Sequence, residues 1–161
     1  MFSRFFYSSE RVGKHGRPFK MWKVKSLRDG VGDFAHKREY VWGGRFMRKW
    51  RIDEVPQIWC ILNGTMSLFG PRPREAKEID LYPQDIKDKL LSVKPGLFGL
   101  AGIFFMDEEI LLKHSKDAAA DYFKKILPIK LALDMFYIDH KCWLLNIAIV
   151  WMALKARIFN K

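Results

Sequence analysis

Cysteine is scarce in this sequence: only Cys60 and Cys142 occur among 161 residues, in no CxxC and at no metal-ligand spacing. Two isolated thiols argue against a disulfide framework and read as reduced side chains of a cytosolic chain. Histidine is equally thin. His15, His36, His114 and His140 form no HxxxH or similar pair, which argues against a histidine-based zinc site. Internal repeats and low-complexity tracts are missing, and so are long hydrophobic runs. The longest nearly apolar stretch, residues 142–154, is broken by Asn146 and falls short of the ~20 residues a spanning helix needs. Met1-Phe2-Ser3-Arg4-Phe5-Phe6-Tyr7 runs into a basic stretch without the apolar core of a signal peptide. The sequence therefore predicts a chain that does not span a membrane by itself but can lie on one.

Aromatic residues and positive charge are plentiful. With 13 Phe, 6 Trp and 49% hydrophobic residues, burial is not limiting, and the length suits one domain over 1–161. The net charge of +11 is unevenly spread. Residues 1–51 hold 14 Lys/Arg against 4 Asp/Glu, whereas residues 52–161 hold 15 against 14. A one-sided basic region points to an anionic partner: phosphates, nucleic acid or anionic lipid heads. The plain alternative is a solvated charged face. Charge is the only feature that suits nucleic acid, so no nucleic-acid partner is expected.

Phe19, Met21, Trp22 and Val24 fit one or two short strands, with a turn at Lys14-His15-Gly16-Arg17. Residues 29–44 read as a loop passing into a helix over about 45–50. The next element is the best defined. Asp53 suits an N-cap, Glu54 and Pro56 the first turn, and Gly64 the C-terminal cap of a helix over about 54–63. Val55, Ile58, Trp59 and Leu62 form its apolar stripe. Further helices are predicted over 74–79, 83–91, 107–126 (stopped before Pro128) and 129–159, the last interrupted near Asp139-His140-Lys141. The predicted fold is an α+β, mostly helical single domain with a small antiparallel sheet or hairpin near the N-terminus.

Adjacent carboxylates such as Asp53-Glu54 are most often a cap and its acidic neighbour. Here Arg45, Arg48, Lys49 and Arg51 precede them within eight residues. A helix N-terminus would add positive potential and free amides. Both effects predict an ionised Asp53 able to share the site with a phosphate, as aspartyl-phosphate catalysis requires. Arg72 sits between Pro71 and Pro73, a stiff presentation that suits bidentate phosphate recognition or is simply a structural turn. Lys23 and Lys25 alternate with Trp22 and Val24, so strand spacing puts both on one face, as a second anion wall or as exposed charges.

Taken together, the segments resemble the catalytic domain of the monotopic phosphoglycosyltransferases, the bacterial sugar-transferase family. The blocks that carry the resemblance are Glu10-Arg11-Val12-Gly13, Phe19-Lys20-Met21-Trp22-Lys23-Val24-Lys25-Ser26-Leu27 and Gly44-Arg45-Phe46-Met47-Arg48. Asp53-Glu54-Val55-Pro56-Gln57-Ile58-Trp59, Gly64-Thr65-Met66-Ser67-Leu68-Phe69-Gly70-Pro71-Arg72-Pro73 and Lys94-Pro95-Gly96-Leu97-Phe98-Gly99 follow in order. A C-terminal Leu133-Asp134…Tyr137-Ile138 resembles the family's D-x-x-Y-hydrophobic element. The resemblance spans essentially the whole chain.

It implies a two-step, Mg²⁺-dependent transfer of a sugar-1-phosphate from a nucleotide-sugar, normally a UDP-sugar, to polyprenol phosphate. Asp53 would be the nucleophile, and Glu54 would orient the metal or assist the lipid phosphate. Asp53 and Glu54 would be the metal ligands. Arg48 and Arg72 fit phosphate clamps, with Lys23 and Lys25 as further phosphate-binding candidates. It also implies the cytoplasmic face of the bacterial inner membrane and a role in exopolysaccharide assembly. Oligomeric state, sugar and pathway are left open.

The family carries an N-terminal hydrophobic segment before the stretch equivalent to Phe5-Phe6-Tyr7, and this sequence starts at about that point. Either the sequence is a truncated or split gene product, or membrane contact comes from the basic first third and from Trp143, Leu144, Ile147, Val150, Trp151 and Leu154, whose helical spacing suits an interfacial helix and an ordinary core helix about equally. Residues 101–106 replace a run that shapes the family's substrate site. The alternative expectation is a catalytically impaired member acting as a partner in a membrane glycan assembly complex.

Overall fold

The chain first reverses over Lys14–Gly16, where His15 and Gly16 take left-handed backbone angles (φ 59° and 75°) and close a tight 3-10 turn. This turn joins β1 (Phe6–Val12) to β2 (Pro18–Val24) in an antiparallel hairpin, with Phe6 opposite Val24 and Val12 opposite Pro18. The computed structural model describes residues 5–26, 41–105 and 117–159. Most of the loop predicted over 29–44, and the first part of the helix predicted over 107–126, lie outside the described residues.

After α1 (Gly44–Lys49) comes a 3-10 turn over Ile52–Gln57 and then the short α2 (Ile58–Leu62). One helix capped by Asp53 was the expectation; the structure corrects it. Arg51, in the left-handed region at φ 52°, is the capping residue, so Asp53 and Glu54 fall inside the turn. Pro56 has no amide hydrogen to donate and occupies the tight turn, and regular helix starts two residues later. The turn buries its polar side. Asp53, Glu54 and Gln57 face inward, while Val55, Ile58, Trp59 and Leu62 are between 47% and 73% exposed. That inverts the usual amphipathic arrangement.

The turn packs on β2. Cys60 of α2 is buried with its thiol on the Lys20 carbonyl at 3.6 Å, and Met66 donates its amide to the Cys60 carbonyl at 2.8 Å. Gly64, at φ 78°, supplies the left-handed residue that ends α2.

β3 (Ser67–Phe69) pairs in parallel with β4 (Gly96–Phe98), across α3 (Ala76–Ile79) and α4 (Gln84–Leu91). Strands of three residues are too short to show alternation, so this second sheet was not legible in the sequence. α5 (Leu100–Phe104) follows β4. Further on, α6 (Ala118–Asp121) runs through a π-helical stretch (Tyr122–Ile126) into α7 (Leu127–His140). The expected stop before Pro128 does not occur. Pro128 sits in the first turn of α7, just past the π-helical stretch, where its missing amide hydrogen costs little. The predicted break near residue 140 is present, and α8 (Trp143–Phe159) starts after it.

Two apolar clusters meet at α7. Leu127 and Leu131 pack with Ile79, Tyr82 and Leu90, and Tyr137 packs with Leu100 and Ile149. The observed architecture is thus mostly helical with an N-terminal antiparallel hairpin, as predicted, plus a small parallel pair. α8 turns Ile149 and Ala153 inward, yet Trp143, Leu144, Ile147, Trp151 and Leu154 are between 47% and 69% exposed. Part of that outer face borders, with Phe69, an open apolar groove of about 270 Å³. Among the described residues no helix is long and apolar enough to cross a membrane.

The two sequence blocks that enclose β3 and β4 lock together by backbone alone. Gly70 donates its amide to the Phe98 carbonyl at 3.0 Å, and Gly96 donates to Pro71 at 2.8 Å. A Cβ on Gly96 would strike the backbone of Phe69 and Gly70, and one on Gly99 would strike the Gly70 carbonyl. Gly96→Ala is therefore expected to cost about 3 kcal/mol, since main chain on both sides has nowhere to move. Denaturant unfolding checks this; a cost below that of a surface substitution would refute the close approach.

Candidate active site

Three elements converge on the acidic pair: β2 brings Lys23, the 3-10 turn brings Asp53 and Glu54 with Arg51 at its start, and the Gly70-to-Arg74 segment brings Arg72. Glu54 is 7% exposed. Its Oε1 accepts from Arg72 at 2.8 Å and lies 3.6 Å from the Lys23 ammonium, and its Oε2 lies 3.5 Å from Arg51. Burial pushes the Glu54 carboxyl upward, but Arg72, Arg51 and Lys23 together outweigh it and hold it at about 2.

Asp53 has the opposite environment. It is buried, and no salt bridge to it is found among the described residues. Its carboxyl is raised above the ordinary value by burial and then by the neighbouring Glu54 charge, against the pull of Lys23 and Arg48. Cations are thus only part of what acts on Asp53: burial and Glu54 oppose them, and of the run before the pair Arg51 is drawn to Glu54 instead. Arg48 nonetheless acts on Asp53 through its charge. Lys23 is drawn down to about 8, by burial and then by the Arg72 charge, although Glu54 and Asp53 favour its protonated form.

Of the residues singled out from sequence, Lys23, Asp53, Glu54 and Arg72 come together, with Arg48 near enough to act on Asp53. Lys25 lies one residue beyond β2, where its amide donates to the Phe5 carbonyl at 2.8 Å. Arg51 has a larger part than sequence suggested. It bridges Glu54 to the Gly102 carbonyl, at 3.2 Å, and so ties α5 to the acidic pair. A Cβ on Gly102 would lie 3.4 Å from the Arg51 guanidinium, so this glycine leaves room for the arginine. Gln57, in the same turn as the carboxylates, keeps its buried amide nitrogen without a hydrogen-bond partner among the described residues. No sequence signal marks that burial; its only hint is the i, i+3 spacing from Glu54.

Among the described residues no group of three or more potential metal ligands is assembled. Mg²⁺ needs fewer from a protein. It takes oxygen ligands, commonly one or two carboxylates plus substrate phosphates. Asp53 fits that requirement as it stands. Glu54 has both oxygens facing guanidinium groups, so it fits only if Arg72 moves off it onto a phosphate. Chemically the site offers a carboxylate that makes no ion pair among the described residues, beside three cations that a second carboxylate holds together.

Comparison with known proteins is consistent with that chemistry. The family model described as bacterial sugar transferase matches residues 2–160. The chain is 30% identical over 154 residues to an uncharacterized sugar transferase, EpsL, of Bacillus subtilis (strain 168), covering 93% of this chain and 68% of that one. It is 38% identical over 90 residues to a putative undecaprenyl-phosphate N-acetylgalactosaminyl 1-phosphate transferase of the same organism, covering 50% and 48%. A UDP-N-acetylgalactosamine-undecaprenyl-phosphate N-acetylgalactosaminephosphotransferase of Aeromonas hydrophila is 30% identical over 161 residues, covering 92% and 34%. The chain thus spans half or less of the length of two of these three relatives.

Proposed function

The chain belongs to the bacterial sugar transferase family, and from that membership we propose that it moves a sugar-1-phosphate from a UDP-sugar to polyprenol phosphate. The observation that carries this reading is the division of labour between two adjacent buried carboxylates. Glu54 gathers Arg72, Arg51 and Lys23, and Asp53 beside them makes no ion pair among the described residues, feeling Lys23 and Arg48 only through their charge. A carboxylate whose charge is disfavoured by burial gains when that charge is shared in a new bond.

In the first step Asp53 attacks the β-phosphorus, the bond from that phosphorus to the bridging oxygen breaks, and UMP leaves with the electron pair. The phosphosugar stays on Asp53. In the second, an oxygen of polyprenol phosphate attacks the same phosphorus, the acyl phosphate bond breaks, and Asp53 is regenerated as polyprenol diphosphate sugar departs. Arg72, with Arg48 and Lys23, faces the phosphate oxygens; Arg51 keeps Glu54 oriented while Arg72 exchanges between Glu54 and the substrate. Bound Mg²⁺, with Asp53 and Glu54 as its protein ligands, would offset diphosphate charge and ease departure of UMP.

The outward apolar faces of α2 and α8 support work at a bilayer surface, with aromatic and aliphatic side chains in the lipid boundary. The basic first third suits anionic headgroups at the cytoplasmic face. Purified protein given polyprenol phosphate in detergent and a panel of UDP-sugars should release UMP with at least one of them. No UMP with any sugar, from protein that is folded by circular dichroism, would favour a non-catalytic partner of a glycan assembly complex.

A further inference from the structure

We propose that the buried pair Arg74–Asp134 is a positioning device that sets Arg72 over the acidic pair. The proposal rests on the functional reading above only in what Arg72 binds, an anionic diphosphate. Asp134 is 1% exposed, and its Oδ2 accepts from the Arg74 guanidinium at 2.7 Å, joining α7 to the segment that carries Arg72. The other guanidinium nitrogen of Arg74 donates to Glu78 at 2.5 Å and to the Tyr82 hydroxyl at 3.0 Å, which ties in α3 and the turn after it. The Arg74 carbonyl accepts from the Val12 amide at 3.0 Å, which ties in β1.

Arg72 is thereby held from both sides. Gly70 and Pro71 are bonded to β4 before it, Arg74 is bonded to three elements after it, and the prolines on either side leave few backbone conformations between. Arg72 itself is 43% exposed and reaches Glu54 at 2.8 Å, so its own burial fixes it only in part. A buried ion pair contributes little net stability compared with a well-packed apolar pair, so position is the advantage this one offers. Asp134 lies 60 residues from Arg74 in sequence and, among the described residues, makes no hydrogen bond or ion pair with Glu54 or Asp53, so it acts on the acidic pair indirectly, through the segment that carries Arg72.

A double-mutant cycle on the full chain tests this, with inorganic pyrophosphate as the probe and its Kd as the readout. Asp134→Asn is expected to weaken binding about 10-fold, and Arg72→Ala at least as much. With Arg72→Ala already present, Asp134→Asn should add nothing. Multiplying effects, or an unchanged Kd in Asp134→Asn, would overturn the proposal. So would a parent protein that binds no pyrophosphate. If Asp134→Asn does not fold, the pair Arg74→Met/Asp134→Leu replaces it, removing both charges together. That variant should melt near the parent and still bind weakly; parent-like binding by it would overturn the proposal. UMP release is measured separately, so failure of the transferase reading leaves the pyrophosphate cycle to judge the positioning claim.

Discussion

Asp53→Asn is expected to abolish UMP release and covalent labelling by a UDP-sugar radiolabelled in the β-phosphate, while leaving the protein at least as stable as its parent. Loss of a covalent nucleophile lowers kcat by roughly 10⁴-fold or more, because no other group can hold the transferred fragment. The stability half follows from the site. Asp53 has a carboxyl raised by burial and by Glu54, so it contributes stability when protonated, and that contribution is lost as pH rises through its folded value. Burial and Glu54 both disfavour the charged form in the folded protein, and the amide, which carries no charge, removes that opposition. A melting temperature at or above the parent's, with no labelled protein, is the expected pair of results. Turnover that survives the substitution would end the nucleophile assignment.

Glu54→Gln should do the reverse: cost stability first and activity through it. The Glu54 carboxyl is held at about 2 against an ordinary value of 4.5. That shift corresponds to on the order of 2–3 kcal/mol once screening around the half-exposed Arg72 is allowed for. A depressed carboxyl contributes this stability in full above its unfolded value, and loses it as pH falls through the folded one. The variant should therefore unfold more easily than the parent at pH 7. The gap between them should close as pH is lowered from about 4.5 toward 2. Urea unfolding at several pH values measures it. A gap that stays constant across that range would mean that Glu54 is not paired as described.

The contrast between these residues explains how far the sequence could be read. Asp53, Glu54 and Arg72 stand out as short ordered blocks, and the cations before the pair are visible as a run. What the run hides is allocation. Nothing in Arg45, Arg48, Lys49 and Arg51 says that Arg51 takes a left-handed conformation and turns back onto Glu54. Helical periodicity located the stripe of Val55, Ile58, Trp59 and Leu62 correctly, yet a period does not say which side faces the interior, and here the polar side does. Pro128 misled for a related reason: a proline ends a helix only where its amide is needed, and at the start of α7 it is not. The Arg74–Asp134 pair is long-range, and no local pattern predicts a contact of that kind.

The backbone mount of Arg72 lies outside residues 101–105, the described part of the stretch that departs from the family pattern. On its β4 side, before Arg72, the anchorage runs from amide to carbonyl, through Gly70 to Phe98 and Gly96 to Pro71. Main-chain joints do not depend on which side chains surround them, provided the glycines stay bare. On the proposed function, side chains around those joints would be free to drift toward a new sugar while the backbone before Arg72 keeps its place, so donor preference and phosphate recognition would evolve separately on one scaffold.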